Sequence, residues 1–191
     1  MPYILLSPRV KISLLLPPLL FLLVKSGAPA AAGAAAVLIH EAAHIAAGAL
    51  LGLKAVTVTL SPLGADIGYR GVIPYKAEIP LALSGPFASV VSAFFALSFC
   101  REYFYLSLAY GLLNLLPVPC FDGGRALYGA VHLISPVPAA DSICDAVNIV
   151  FLLLLYLFSV FVLFYTSFNA SLLFICAYIF VNSYVKMARL P

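Results

Sequence analysis

The chain has 191 residues, of which 64% are hydrophobic and 9% are charged, with a net charge of +3. Soluble domains are about 45–50% apolar and about 25% charged, so this chain lacks the polar surface that would cover a globule in water. We therefore predict one integral membrane domain over residues 1–191, mostly helical. The charges form no basic run, so nucleic-acid binding has no support, and the four cysteines form no CxxC pair, so we predict no disulfide framework.

The fold prediction is an all-α polytopic membrane protein with about six transmembrane helices, because a span needs about 20 mainly apolar residues. In chain order the predicted helices are 10–24, 28–53, 79–99, 103–134, 144–165 and 169–187. Pro17 and Pro18 are expected to kink the first helix. The segment PVPCFDGG is expected to interrupt the fourth helix.

Residues 55–73, between the second and third helices, have a strand pattern instead. Apolar residues alternate with Thr in VTVTL, and Pro62 and Gly64 supply a turn before a return strand at 67–73. We predict a short membrane-associated β-hairpin. Such backbone is tolerated at membrane depth only where protein or a water-filled cavity satisfies its hydrogen bonds.

Lys and Arg placement predicts that both termini lie in the cytoplasm, because cytoplasmic loops carry the excess of these residues. With six spans, the side of the N-terminus holds Arg9, Lys11, Lys54, Arg70, Lys76, Lys186 and Arg189, and the opposite side holds Lys25 and Arg101. A cleaved signal peptide is the alternative for the N-terminus, since SGAPA follows an apolar run, but Lys25 directly after that run favours a retained helix.

The pattern HEAAH at residues 40–44 places three ionisable side chains within a membrane-length apolar helix. Residues i and i+4 lie one turn apart on one helix face, so His40 and His44 can bind one metal ion. Zinc lowers the pKa of a bound water to about 7, and the Glu41 carboxylate can take its proton. Ionisable residues inside a membrane are functional hypotheses by default. The alternative is a pair of histidines that make interhelical hydrogen bonds.

A zinc site of this kind needs a third protein ligand. Apart from Glu41, Asp122 is the one acidic residue within an apolar segment, NLLPVPCFDGGRAL, where prolines and glycines break the helix. We expect its carboxylate to project towards a neighbouring helix that the glycines allow to approach. His132 is interpreted as an interfacial or capping residue, and Gly48 with Gly52 forms a GxxxG pair that permits close helix packing.

HEAAH followed, about 80 residues later, by NLLPVPCFDGGR resembles the two motifs of the site-2 proteases, a family of intramembrane zinc metalloproteases. The resemblance covers residues 10 to about 135 and implies a catalytic core over 28–135, with accessory helices at 10–24, 144–165 and 169–187. It implies one Zn²⁺ ion held by His40, His44 and Asp122, with Glu41 as the general base. The residues that it implies for substrate binding are Asn114, Ser89, Pro117 and Gly123.

Further expectations follow from the resemblance. The substrate is a membrane protein cut in or near its transmembrane segment, and it pairs with the edge of the hairpin at 55–73. The partners are this substrate, the lipid bilayer and a regulatory membrane protein. The layout is most similar to the sporulation-type branch, which processes a sigma-factor precursor in the bacterial cell membrane; an anti-sigma factor is the other substrate considered.

The chain departs from the family pattern at two positions. Cys120 stands where many relatives have Pro, with little expected consequence. Ser89 stands where the family often has Asn in the third helix, so a role of that Asn in holding the substrate is open here. The branch usually carries a C-terminal CBS domain, which these 191 residues do not include.

Two other function classes are weighed against a protease. A non-catalytic membrane scaffold that binds transmembrane helices would be favoured by loss of any of His40, Glu41, His44 or Asp122, and all four are present. A metal transporter would need ionisable residues along several spans, which the centres of the first, fifth and sixth predicted spans lack.

Overall fold

The computed structural model describes residues 3–7, 10–13, 27–61, 64–166 and 170–187. The chain divides into two compact units, residues 1–113 and residues 114–191. The helices in the described residues are α1 (Ala28–Leu50), α2 (Tyr75–Ala96), α3 (Arg101–Asn114), α4 (Asp122–Ile134), α5 (Val137–Tyr165) and α6 (Ser171–Met187). The strands are β1 (Tyr3–Ser7), β2 (Val10–Ser13), β3 (Ala55–Ser61) and β4 (Gly64–Tyr69).

The four strands form one sheet in the order β1-β2-β3-β4. The predicted hairpin is confirmed as β3 and β4, which pair antiparallel, with Val58 opposite Ile67. The predicted bounds of the return strand, 67–73, are wrong, because β4 runs from Gly64 to Tyr69. β1 and β2 also pair antiparallel, and β2 runs parallel to β3. The hairpin is therefore half of a larger sheet, and β4 is one of its two edge strands.

The predicted first helix, 10–24, is wrong at its beginning, because Val10–Ser13 is strand β2. The sequence VKIS alternates apolar and polar residues and suits a strand as well as the start of an apolar helix. Residues 14–24, including Pro17 and Pro18, lie outside the described residues. A count of six spans therefore remains a prediction.

Helix α1 begins and ends through residues with special backbone requirements. Pro29 lies in its first turn, where its missing N–H costs nothing. Gly52 has φ +72° directly after the helix, and its N–H donates to the Ala49 carbonyl. The Leu53 N–H donates to the Gly48 carbonyl. Gly52 thus ends the helix through a left-handed residue, and the predicted GxxxG role does not apply to it.

Small residues and residues with hydroxyl groups make the contacts between helices within residues 27–113. Ala36, Ala96 and Tyr103 form a buried cluster. A Cβ on Gly111 of α3 would lie 2.8 Å from the Ser89 Cβ on α2, so the two helices approach closely because Gly111 has no side chain. In the same contact the Tyr103 hydroxyl donates to Ser92 Oγ at 2.8 Å.

In residues 114–191 the predicted interruption is confirmed for PVPCF, which lies in a loop at 115–121, but it is wrong for Asp122, Gly123 and Gly124, which form the first turn of α4. Helix α5 begins seven residues earlier than the predicted 144, with Pro138 in its first turn. Helix α6 begins at Ser171, close to the predicted 169.

Within the described residues, three helices are long and apolar enough to cross a membrane: Pro29–Leu50, Tyr75–Ala96 and Val137–Tyr165. Their large apolar side chains are widely exposed; Phe95 is 76% exposed and Phe161 is 62% exposed. Soluble monomers rarely expose apolar patches beyond a few hundred Å². The exposed surface therefore suits contact with lipid, and the protein is mostly helical and suited to a membrane.

Candidate metal centre

The two histidines of HEAAH point in the same direction and are buried. His40 is 1% exposed and His44 is 5% exposed, and their Nε2 atoms lie 3.2 Å apart. The i, i+4 spacing on α1 brings both rings to one helix face, as predicted. In a HExxH zinc site the helix provides two histidine ligands, and the two converging Nε2 atoms match that arrangement.

Main-chain and hydroxyl oxygens of α2 hold the His44 ring. His44 Nδ1 lies 2.8 Å from the Leu81 carbonyl oxygen, which only accepts, so Nδ1 carries the proton and donates. Ser84 Oγ lies 3.2 Å from the same Nδ1 and donates to the Leu81 carbonyl at 2.7 Å. This tautomer leaves the Nε2 lone pair of His44 for a metal ion.

The His40 ring has a different partner on the same helix. Its Nδ1 lies 2.9 Å from Ser89 Oγ. The ring of Tyr110, on α3, packs against it edge-on, with ring centroids 4.8 Å apart. Contacts to the second ring nitrogen orient metal-binding histidines and set their tautomer, so both histidines have the surroundings of ligands.

Gly85 of α2 leaves the space that the two Nε2 atoms occupy. A Cβ at this position would lie 2.6 Å from His40 Nε2 and still closer to His44 Nε2. Only glycine lets the α2 backbone come this close to the ligand atoms. No role for Gly85 was predicted from the sequence. Its signal was a glycine within a helix, which usually has a packing or functional reason.

Tyr69 at the end of β4 ties the sheet edge to the ligand helix. Its hydroxyl donates to the His44 carbonyl oxygen at 3.0 Å. A Cβ on Gly48 would lie 2.6 Å from the Tyr69 ring. Gly48 therefore makes room for a tyrosine ring from the hairpin. The GxxxG pattern had instead predicted that it contacts another helix.

We expect Gly48→Ala to destabilise the protein by about 1–3 kcal/mol, because the added methyl forces the Tyr69 ring out of place. Thermal unfolding in detergent measures the change. In a Tyr69→Ala background the same substitution has room and is expected to cost far less, which a double-mutant cycle detects. Equal costs in both backgrounds would contradict this packing.

Glu41, the predicted general base, is half-buried beside the first histidine, and its Oε2 atom is shielded from solvent. Being one residue from His40, its side chain leaves α1 at a different angle from the two imidazoles. The Glu41 carboxylate therefore lies on the same turn of α1 as the histidines but on a different face of the helix.

Asp122 occupies the first turn of α4 and is 7% exposed. The positive end of the helix dipole favours a carboxylate at this position. Arg125, one turn later, places Nη1 3.5 Å from Asp122 Oδ1. Both effects stabilise the ionised carboxylate, which is the form that binds a metal ion.

The two glycines after Asp122 pack against the loop that precedes it. Cβ atoms on Gly123 and Gly124 would overlap the carbonyl oxygens of Leu115 and Val118. The loop folds tightly over the first turn of α4, which fixes Asp122 at the helix start. We expected these glycines to admit another helix, and the described contacts are instead with the main chain of their own loop.

Other residues singled out from the sequence have local contacts. His132 is buried; its Nδ1 donates to the Tyr128 carbonyl at 2.8 Å, and its Nε2 lies 3.0 Å from Asp141 Oδ1. These contacts agree with a structural, capping role that joins α4 to α5. Cys120 accepts a hydrogen bond from Ser183 Oγ of α6 at 3.6 Å, so the loop before Asp122 is attached to the last helix.

The predicted substrate-binding residues are found in different surroundings. Asn114 is 5% exposed at the end of α3, and Pro117 is half-buried in the following loop. Gly123 packs on the Leu115 carbonyl, and Ser89 contacts His40. Their contacts with substrate remain predictions.

His40, His44 and Asp122 are each buried within their own unit of the chain. Two imidazoles and one carboxylate suit zinc, which commonly takes three protein ligands in catalytic sites. The space left by Gly85 beside the two Nε2 atoms fits this interpretation.

Comparisons with known proteins agree with this centre. Residues 82–158 match the model of Peptidase family M50, a stretch that includes Asp122 but not the histidines. Over 59 residues the chain is 34% identical to a Thermotoga maritima protein described as "Putative zinc metalloprotease", an alignment that covers 29% of this chain and 12% of that protein.

The fold also has a solved counterpart. The site-2 protease from Methanocaldococcus jannaschii superposes with a TM-score of 0.70 at 20% sequence identity, covering 97% of this chain and 94% of that one. The chain therefore has the fold of a site-2 protease, and its residues 82–158 match Peptidase family M50.

Proposed function

We propose that this protein is an intramembrane metalloendopeptidase that uses one zinc ion to cut a peptide bond in or near a transmembrane segment of a membrane-tethered substrate. The observation that carries the proposal is the pair of buried imidazoles whose Nε2 atoms converge at 3.2 Å, with each Nδ1 held by α2. Converging, oriented nitrogens on a membrane-length helix are what a metal ligand pair requires.

His40 and His44 are proposed to supply two neutral nitrogen ligands, and Asp122 a carboxylate oxygen. When bound, Zn²⁺ would supply a Lewis acid that polarises the scissile carbonyl and acidifies a water molecule. Glu41 acts as the general base: it accepts a proton from the attacking water and delivers it to the nitrogen of the leaving amine. The low exposure of the three proposed ligands keeps bulk water away from them.

The substrate must unwind before attack, because a helix hides its carbonyls in hydrogen bonds to residues four positions later. The unwound segment is proposed to lie along strand β4. Among the described strands β4 is at the edge of the sheet, and its last residue, Tyr69, is hydrogen-bonded to the main chain of His44. A substrate strand that pairs with this edge would lie near the ligand helix. Asn114, Pro117 and Gly123 are proposed to border the substrate.

The sequence resemblance supports three further proposals. The substrate is a sigma-factor precursor of the sporulation type or an anti-sigma factor. The partner is a regulatory membrane protein, and the location is a bacterial cell membrane. Both termini are proposed to be cytoplasmic, since Lys54, Arg70 and Lys76 are all exposed in the segment between α1 and the first turn of α2.

The experiment combines metal content with cleavage. We expect the purified full chain to bind one zinc ion, and Asp122→Ala to lower the affinity for zinc by at least about tenfold, the lower end of the losses seen when metal ligation is disturbed. Glu102→Ala, which removes an exposed carboxylate in the first turn of α3, is the control.

Cleavage is tested with epitope-tagged single-span membrane proteins co-expressed with the chain, a set that includes a membrane-tethered sigma-factor precursor. We expect one or more to be cut in or near the span. Zinc binding without cleavage of any member, and retention of the uncut proteins by the chain, would favour the membrane scaffold instead.

A further inference from the structure

We propose that Ser89 is a positioning residue for His40: its hydroxyl holds the imidazole in the orientation that a metal ion requires. The inference rests on the proposed zinc site. It differs from the role that the sequence resemblance suggests for this position, which is contact with the substrate.

The contact lies entirely inside the protein. Ser89 is 0% exposed and His40 is 1% exposed, and Ser89 Oγ lies 2.9 Å from His40 Nδ1. Buried polar atoms in proteins are almost always hydrogen-bonded, because leaving one without a partner destabilises the folded protein. Removing the hydroxyl therefore removes the partner that the structure provides for Nδ1 on α2.

The chemistry of the imidazole assigns the direction of the bond in the zinc-binding form. His40 can bind a metal ion through Nε2 only if Nε2 offers a lone pair, so the proton of the neutral ring is on Nδ1. Nδ1–H then donates, and Ser89 Oγ accepts. Bonded in this way, the hydroxyl holds the ring with its Nε2 lone pair beside Nε2 of His44.

Ser89 itself is fixed by α3. The Ser107 hydroxyl donates to the Ser89 carbonyl oxygen at 2.9 Å, and Gly111 lets the α3 backbone approach the Ser89 Cβ closely. A short side chain suits this crowded position.

The two ligands are held by different kinds of partner. His44 Nδ1 donates to a main-chain carbonyl, that of Leu81, which no side-chain substitution deletes. His40 Nδ1 is bonded to a side-chain hydroxyl, that of Ser89. The site is therefore expected to be sensitive to a single small change at Ser89, namely the loss of one oxygen atom.

The test compares Ser89→Ala with the wild-type chain and with Ser159→Ala as a matched control. Ser159 is also 0% exposed in an apolar helix, and its hydroxyl donates to the Tyr156 carbonyl within α5. Full-length proteins in detergent are titrated with Zn²⁺ against a competing chelator, and the visible absorption spectrum of the Co²⁺ form reports ligand geometry.

We expect Ser89→Ala to weaken the affinity for zinc roughly 10–100-fold, the range typical for loss of a partner of a metal-ligating histidine, and to change the Co²⁺ spectrum. Ser159→Ala is expected to match the wild type in both. An unchanged affinity and spectrum in Ser89→Ala would overturn the proposal and favour the substrate-contact role.

Thermal unfolding in excess chelator separates positioning from folding. We expect the two variants to unfold at similar temperatures there, and a much lower temperature for Ser89→Ala would assign Ser89 a merely structural role and overturn the proposal. Failure of the proposed function gives a different result, because then the wild-type chain itself would not bind one zinc ion.

Discussion

Replacing Glu41 by Gln is expected to abolish cleavage while zinc stays bound. The amide keeps the size of the carboxylate but cannot accept a proton from water, and general-base catalysis typically contributes about 10²–10⁴-fold to the rate. Glu41 is not one of the three proposed ligands, so the affinity for zinc should change little. The measurement is the rate of appearance of the cleaved fragment, together with the zinc content of the purified variant.

Glu102→Gln is the control for this substitution, because it makes the same chemical change at an exposed carboxylate in the first turn of α3. It is expected to cleave at the wild-type rate. Cleavage by Glu41→Gln at a rate close to that of the wild type would show that another group takes the proton. Loss of zinc from Glu41→Gln would show that this carboxylate helps to bind the ion.

Gly85→Ala is expected to lower the affinity for zinc and the rate of cleavage together. The added methyl would lie in the space of the two Nε2 atoms, 2.6 Å from that of His40 and closer to that of His44. Both rings must shift, and the bonds of their Nδ1 atoms to Leu81 and Ser89 oppose that shift. The expected loss of affinity is at least about 10–100-fold, the range seen when ligand orientation is disturbed.

Gly33→Ala provides the matched control, since Gly33 also lies within a candidate span and its added Cβ would meet one side-chain atom at an ordinary 3.8 Å, Leu106 Cδ1. This variant should bind zinc and cleave like the wild type. Zinc affinity is read by chelator competition. An unchanged affinity in Gly85→Ala would contradict a metal position at the two Nε2 atoms.

Local patterns in the sequence predicted much of the helical core. HEAAH placed His40 and His44 on one face of a membrane-length helix because the 3.6-residue period fixes which side chains align. The break before Asp122 was predictable because prolines do not continue a helix, whereas Gly123 and Gly124, which were also expected to break it, lie within the first turn of α4. The VTVTL alternation likewise marked strand β3.

Features that depend on tertiary contact were not predictable in this way. Val10–Ser13 is short and half apolar, and only pairing with β1 and β3 makes it a strand. The bond between Ser89 and His40 joins residues 49 positions apart, and nothing in one sequence specifies that pairing. Gly48 gave a helix-packing signal, although its neighbour is a tyrosine from the hairpin.

The most direct test of the account is an experimental structure of the zinc-loaded Glu41→Gln protein. The account predicts one zinc ion bound by Nε2 of His40, by Nε2 of His44 and by a carboxylate oxygen of Asp122, each at about 2.0–2.2 Å. An ion bound elsewhere, or one held by the histidines with Asp122 out of reach, would contradict it.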